Sequence, residues 1–112
     1  MCLFCKIASK QIPSKMVFED DDLFAFHDIN PGAPTHVLVI PKIHISSMND
    51  VTPDHQALLG KLMLAARRAA EIAGIDKSGF RLVVNTGSDA GQSVHHVHLH
   101  VLGGRAMAWP PG

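Results

Sequence analysis

Apolar and polar positions alternate most strictly near the end of the chain, in HHVHLHVLGGR from His95 to Arg105. There Val97, Leu99 and Val101 interleave with His96, His98 and His100. Successive side chains of a strand point to opposite faces, so the pattern predicts a strand over Val94 to Leu102 with an aliphatic back and an imidazole front. On a helix the same three histidines would scatter around most of the circumference. Met16-Val17-Phe18 and Leu23 to Asp28 predict a hairpin around the acidic turn Glu19 to Asp22. His36 to Pro41 predicts a third strand that ends at its proline, and Phe80 to Asn85 a fourth.

Two segments carry helical spacing instead. Leu3, Phe4 and Ile7 form an apolar stripe over Cys2 to Ser9, broken by Pro13. Thr52-Pro53-Asp54 opens a long helix with a capping hydroxyl, a first-turn proline and an acid at the positive dipole end. Leu58, Leu62, Ala65, Ala66, Ala69 and Ile72 line one face of it, and Gly74 closes it. A short helix, three strands, a long helix and two strands predict an α+β fold with a mainly antiparallel, five-stranded sheet.

The 112 residues suit one domain, 1–112, with a single core. With 46% apolar and 18% charged residues and no formal net charge, there is no field to attract long nucleic acids or anionic membranes, so anion recognition must be local. No apolar run approaches the ~20 residues of a spanning helix, and the N-terminus lacks a secretory pattern. Two cysteines do not make a disulfide scaffold. The expectation is a cytoplasmic protein that does not engage a membrane.

Three imidazoles on one face, fed by the loop Asn85 to Ser93 with its glycines and hydroxyls, point to chemistry at phosphorus. The loop lacks the P-loop Lys and is read as a cradle of backbone N–H groups. In this scheme His98 attacks, His100 donates to a phosphate oxygen, His96 holds the nucleophile's position or tautomer, and Ser93 assists the leaving group. His36 is a fourth imidazole, whose place in the same pocket the sequence does not fix. No metal is required. His95, on the back of the predicted strand, is read as packing.

GQSVHHVHLHVLGGR closely resembles the histidine-triad family motif, and the likeness extends to FHDINPGAPTHVLVIPKIHI and the terminal WPPG. These features resemble the Hint branch, the nucleoside phosphoramidate hydrolases. The resemblance implies a homodimer in which two five-stranded sheets join into one of ten strands. It makes His98 the nucleophile that forms a nucleotidyl-histidine, with His96, His100 and His36 in support. Asn85, Gly91, Gln92 and Ser93 then form the phosphate side. Phe4, Ile7, Phe26, His27, Asp28 and Ile29 form the nucleoside pocket, with Asp28 on the ribose hydroxyls, and Trp109 reaches toward the partner subunit's site. The implied substrate is a small purine nucleotide cleaved at a P–N bond to release AMP. A dinucleoside polyphosphate hydrolase, a non-catalytic nucleotide sensor and a histidine-rich metal-binding domain are the other readings.

Cys2-Leu3-Phe4-Cys5 is half a zinc site on its own. Some histidine-triad relatives complete such a pair with two histidines, and His44 and His96 are the residues that fit here. The bland alternative is two free thiols. Any zinc at Cys2, Cys5, His44 and His96 would be structural.

Overall fold

The run from Val37 to Ile40 is apolar without interruption because both faces of its strand are covered. The computed structural model, which describes residues 2–112, places it in β3 (Thr35–Pro41), at the centre of one antiparallel sheet. The other strands are β1 (Met16–Glu19), β2 (Leu23–His27), β4 (Phe80–Val83) and β5 (Leu99–Gly103), in the order β1-β2-β3-β5-β4. Val37 and Val39 face the long helix α2 (Gln56–Ala73), sharing its core with Ala25, Leu62, Ala66, Ala69, Val97, Leu99 and Val101. Leu38 and Ile40 face the short helix α1 (Leu3–Ala8) with Phe4, Ile7, Phe24 and Phe26. The alternation of a strand therefore divides one apolar run between two cores.

Helix α2 follows a single 3-10 turn, Pro53–His55, and ends at Gly74 in the left-handed conformation, where a glycine carries no Cβ strain. Leu62, Ala65, Ala66 and Ala69 are buried as the spacing predicts, but Ile72 lies at the margin of the stripe and is exposed, and Ala70 takes the inner position.

The histidine strand is shorter than predicted. β5 begins at Leu99, which opposes Val39, and the preceding residues do not continue the ladder. Pro41 has no N–H to offer the next pair, and the Val97 N–H donates instead to the Ile45 carbonyl at 2.7 Å. β4 likewise stops at Val83 rather than Asn85. His95, expected to pack on the back of the strand, is exposed to solvent. Alternation nonetheless persists through this stretch, since Val97, Leu99 and Val101 all reach the α2 side. Among the described residues, no helix is long and apolar enough to cross a membrane.

Candidate active site

On the α1 side of the sheet, α1, the β2–β3 connection and the start of β5 enclose a cleft of about 1120 Å³. One wall is apolar, made by Phe4, Ile7, Phe26 and Leu38, with Phe4 and Phe26 in an edge-to-face contact at 5.6 Å. His27, Asp28 and Ile29 form the rim, and Ile29 is 91% exposed there. The opposite end is polar and holds His36, Ser93, His98 and His100.

Hydrogen bonding fixes which nitrogen of each imidazole carries its proton. The Gly32 N–H can only donate, and it meets His36 Nδ1 at 2.9 Å. His36 is therefore protonated at Nε2, which donates to His100 Nδ1 at 2.8 Å. That leaves the proton of His100 on Nε2, facing the cleft. One backbone amide thus sets two tautomers in series.

His98 receives the opposite instruction. Its Nδ1 lies 2.7 Å from the carbonyl oxygen of His96, which can only accept, so the proton sits on Nδ1 and Nε2 presents a bare lone pair. The rings of His98 and His100 are 5.0 Å apart. The cleft therefore holds a nucleophilic nitrogen beside an N–H donor.

Burial keeps the relay neutral. Desolvation, with further repulsion from His98 and His36, lowers the pKa of His100 to about 4, against a smaller opposing pull from Asp28. Desolvation lowers that of His36 as well, partly offset by Asp28, whose Oδ2 lies 3.4 Å from His36 Nε2. Oδ1 of Asp28 accepts the Asn30 N–H at 2.9 Å, which orients the carboxylate at the rim.

Not every expected residue reaches the cleft. His96 lies on the same side of the sheet, but its side chain points away from the cleft, so it supports His98 through its carbonyl and not its imidazole. Two amides of the anion cradle expected in the loop before β5 are also engaged elsewhere. The Gly91 and Gln92 N–H groups donate back into the loop, to Ser88 and Gly87. The Gln92 side chain is spent on the Ser46 and Val94 carbonyls and the Gly87 N–H. Ser93 alone of that loop's predicted residues lines the cleft. Asn85 stands beside it, with Nδ2 3.4 Å from His100 Nε2. Both groups are N–H donors in this tautomer, so that contact is loose and a substrate oxygen can replace it. Trp109 is 80% exposed and lies over Arg81 of β4, away from this cleft.

Sequence reading missed Gly32, Pro34 and Arg105. Arg105 Nη2 donates to the Gly32 carbonyl at 3.0 Å and so steadies the residue whose N–H sets the His36 tautomer. The Gly-Gly-Arg that ends the histidine motif was the available signal.

The His96 imidazole belongs to a second cluster. Its Nε2–H donates to the Pro41 carbonyl at 2.8 Å, which leaves Nδ1 bare. That nitrogen lies 3.3 Å from Cys2 Sγ, 3.5 Å from Cys5 Sγ and 3.2 Å from His44 Nδ1. The remaining separations are 3.2 Å between the sulfurs and 3.5 and 3.3 Å from His44 Nδ1 to Cys2 and Cys5. Two thiol protons cannot satisfy so many contacts. A tetrahedral zinc ion with two sulfur and two nitrogen ligands requires edges of about 3.3–3.8 Å. The four atoms fit that figure once the sulfurs part by roughly half an ångström. The carbonyl behind His96 is the usual orienting partner of a ligating imidazole.

A five-stranded antiparallel sheet whose central strands present a tautomer-fixed set of imidazoles to a cleft defines a histidine-triad fold. The chain belongs to the HIT family, since the family model described as HIT domain matches residues 9–107. A solved structure described as a HIT family hydrolase from Legionella pneumophila Philadelphia 1 superposes with a TM-score of 0.98 at 53% identity, covering 100% of both chains. An uncharacterized HIT-like protein of Synechocystis is 50% identical over 110 residues, 98% of this chain and 96% of that one. The purine nucleoside phosphoramidase of Escherichia coli K12 is 47% identical over 105 residues, 94% of this chain and 88% of that one.

Proposed function

We propose that this protein is a HIT hydrolase acting as a purine nucleoside phosphoramidase. The observation that carries the reading is the His98–His96 hydrogen bond, which strips Nε2 of its proton inside a cleft with an apolar wall at one end. The purine lies between Phe4, Ile7, Phe26 and Ile29, and Asp28 accepts from the ribose hydroxyls. The α-phosphorus is then carried to His98.

His98 Nε2 attacks in line, forming a phosphorus–nitrogen bond as the substrate's own P–N bond breaks. The His100 N–H stabilises charge on a phosphate oxygen, and Ser93 hands a proton toward the departing amine. Water then displaces the histidine, its oxygen joining phosphorus and its proton returning to Ser93, which releases AMP and restores neutral His98. The scheme routes no step through a metal. We assign the Cys2, Cys5, His44 and His96 cluster to a structural zinc, which when bound ties the start of α1 to the segments carrying His44 and His96. The partner we infer is a second copy of the chain, since β4 is an edge strand with exposed Val84 and Trp109 beside it.

Wild-type and His98→Ala protein mixed with adenosine 5′-phosphoramidate, quenched early and late and read by mass spectrometry, test the reaction. The expected result is AMP release and a transient adenylyl adduct on the His98 peptide in wild type only. Nucleotide bound without AMP release would overturn the phosphoramidase reading and favour the sensor.

A further inference from the structure

His96 is the one residue that belongs to both clusters. It is wholly buried, and three of its groups are engaged at once. Nε2 is tied to Pro41, Nδ1 faces the two sulfurs and His44, and the carbonyl oxygen receives the His98 Nδ1–H. The stretch that carries it lies outside the sheet ladder, so this carbonyl is located by the His96 side chain together with the Val97 N–H to Ile45 carbonyl bond of its own peptide, next to His44. Helix α1 supplies a second connection. Cys2 Sγ caps its first turn by accepting the Cys5 N–H at 3.2 Å, and Phe4 between them meets the His98 ring edge-on at 5.0 Å.

We propose that His96 is a positioning residue through which the thiol–imidazole cluster controls the nucleophile, on when the cluster holds a zinc ion and off when peroxide empties it. With the ion bound, the imidazole is pinned at both nitrogens and the His96 carbonyl stays on His98 Nδ1–H. Hydrogen peroxide oxidises the Cys2 and Cys5 thiolates. One S–S bond forms and the O–O bond breaks, while two protons are taken up and two waters and the free ion leave. The sulfurs are already 3.2 Å apart and must close to about 2.05 Å, which draws both away from the imidazoles. His96 then loses the contacts on Nδ1, its carbonyl shifts, and His98 divides between its two tautomers. The effect on rate rests on the proposed role of His98, whereas the effect on its tautomer does not.

The test uses the full chain in zinc-loaded, chelator-stripped and peroxide-treated forms, the last also after thiol reductant and fresh zinc. Native mass spectrometry reads metal content, nitrogen–proton correlation spectra of labelled imidazoles read the His98 tautomer, and adenosine phosphoramidate hydrolysis reads kcat and KM. One zinc per chain is expected, with a single Nδ1–H form of His98 when loaded and a mixture when stripped or oxidised. kcat should fall about 10- to 100-fold with the metal and return with it. Cys5→Ser should resemble the stripped form even in zinc and ignore peroxide.

Failure to take up zinc overturns the proposal. So does stripping that leaves both the His98 spectrum and kcat unchanged. A stripped chain that has unfolded by circular dichroism also overturns it, because the metal would then hold the fold rather than the nucleophile. If the loaded protein hydrolyses nothing, only the phosphoramidase reading fails, and the tautomer spectra still decide the control of His98.

Discussion

His98 and His100, two residues apart and with rings 5.0 Å from each other, hold opposite tautomers. A carbonyl oxygen fixes the first and a chain of donors from Gly32 fixes the second. The proposed reaction needs an attacking nitrogen and a donor N–H side by side, and two identical side chains can offer both here because their backbone partners differ in kind.

Replacing His36 tests that division of labour. His36→Phe removes the donor to His100 Nδ1 and leaves the Gly32 N–H unpaired, so His100 loses its enforced tautomer. kcat for an adenosine phosphoramidate should fall by about 100-fold or more with KM changed only a few-fold, as expected when a proton donor rather than a binding contact is lost. His36→Gln, which can still donate from its amide, should recover part of the loss. Equal rates for Phe and Gln would mean that His36 acts only by filling space.

In the proposed complex Asp28 accepts from the ribose hydroxyls, so its substitution should read out in binding. Asp28→Asn keeps the Oδ1 that accepts from Asn30 but loses the charge. A hydrogen bond to a charged group is worth roughly 1.5–3 kcal/mol, so KM should rise about 10- to 100-fold for a ribonucleoside substrate. A 2′-deoxy analogue should already be poor in wild type and change little in the variant. An equal loss for both substrates would place Asp28 elsewhere than on the 2′-hydroxyl.

Much of this was legible in the residues. The order of elements and the alternation at Val97, Leu99 and Val101 follow from side-chain periodicity, which tertiary structure obeys wherever a core must be filled. The same periodicity overextended β5, because a pattern of side chains does not reveal that Pro41 cannot continue the ladder. It put the three histidines on one face correctly but could not show that His96 turns from the cleft to the thiols. The tautomers were not legible at all. They depend on the backbone amide of Gly32 and the carbonyls of His96 and Pro41, groups every sequence has and only a fold can aim. The loop from Gly87 to Gln92 misled for the same reason: its glycines allow close approach of an anion, but the N–H groups of Gly91 and Gln92 are spent within the loop.

Two glycine substitutions should move stability in opposite directions. Gly104 sits at φ +92°, and an added Cβ would come 2.8 Å from Pro34 Cβ in a ring that cannot swing aside. Gly104→Ala should cost about 1–3 kcal/mol and also reduce activity, since Pro34 belongs to the connection that carries Gly32. Gly60, exposed within α2 with nothing within 4 Å of an added Cβ, is the opposite case. Gly60→Ala should stabilise by roughly 0.5–1 kcal/mol and leave activity untouched. Urea unfolding with parallel rate measurements checks both.

Acid should unfold the protein through the buried imidazoles of the cleft. His100 titrates at about 4 in the folded chain, whereas an unperturbed histidine titrates near 6.5. Between those values the unfolded chain binds a proton that the folded chain refuses, so stability must fall as pH falls through that window. The slope is about 1.4 kcal/mol per pH unit for each such histidine, and the depressed His36 adds to it over its own range. Above pH 7 both groups are neutral in either state and the dependence should flatten. Urea unfolding from pH 7.5 down to 4.5 should therefore give a steadily falling midpoint, and His100→Gln should show a shallower slope over the same range. A variant that matches wild type at every pH would show that the neutral relay costs the folded state nothing, and that other groups drive the acid transition.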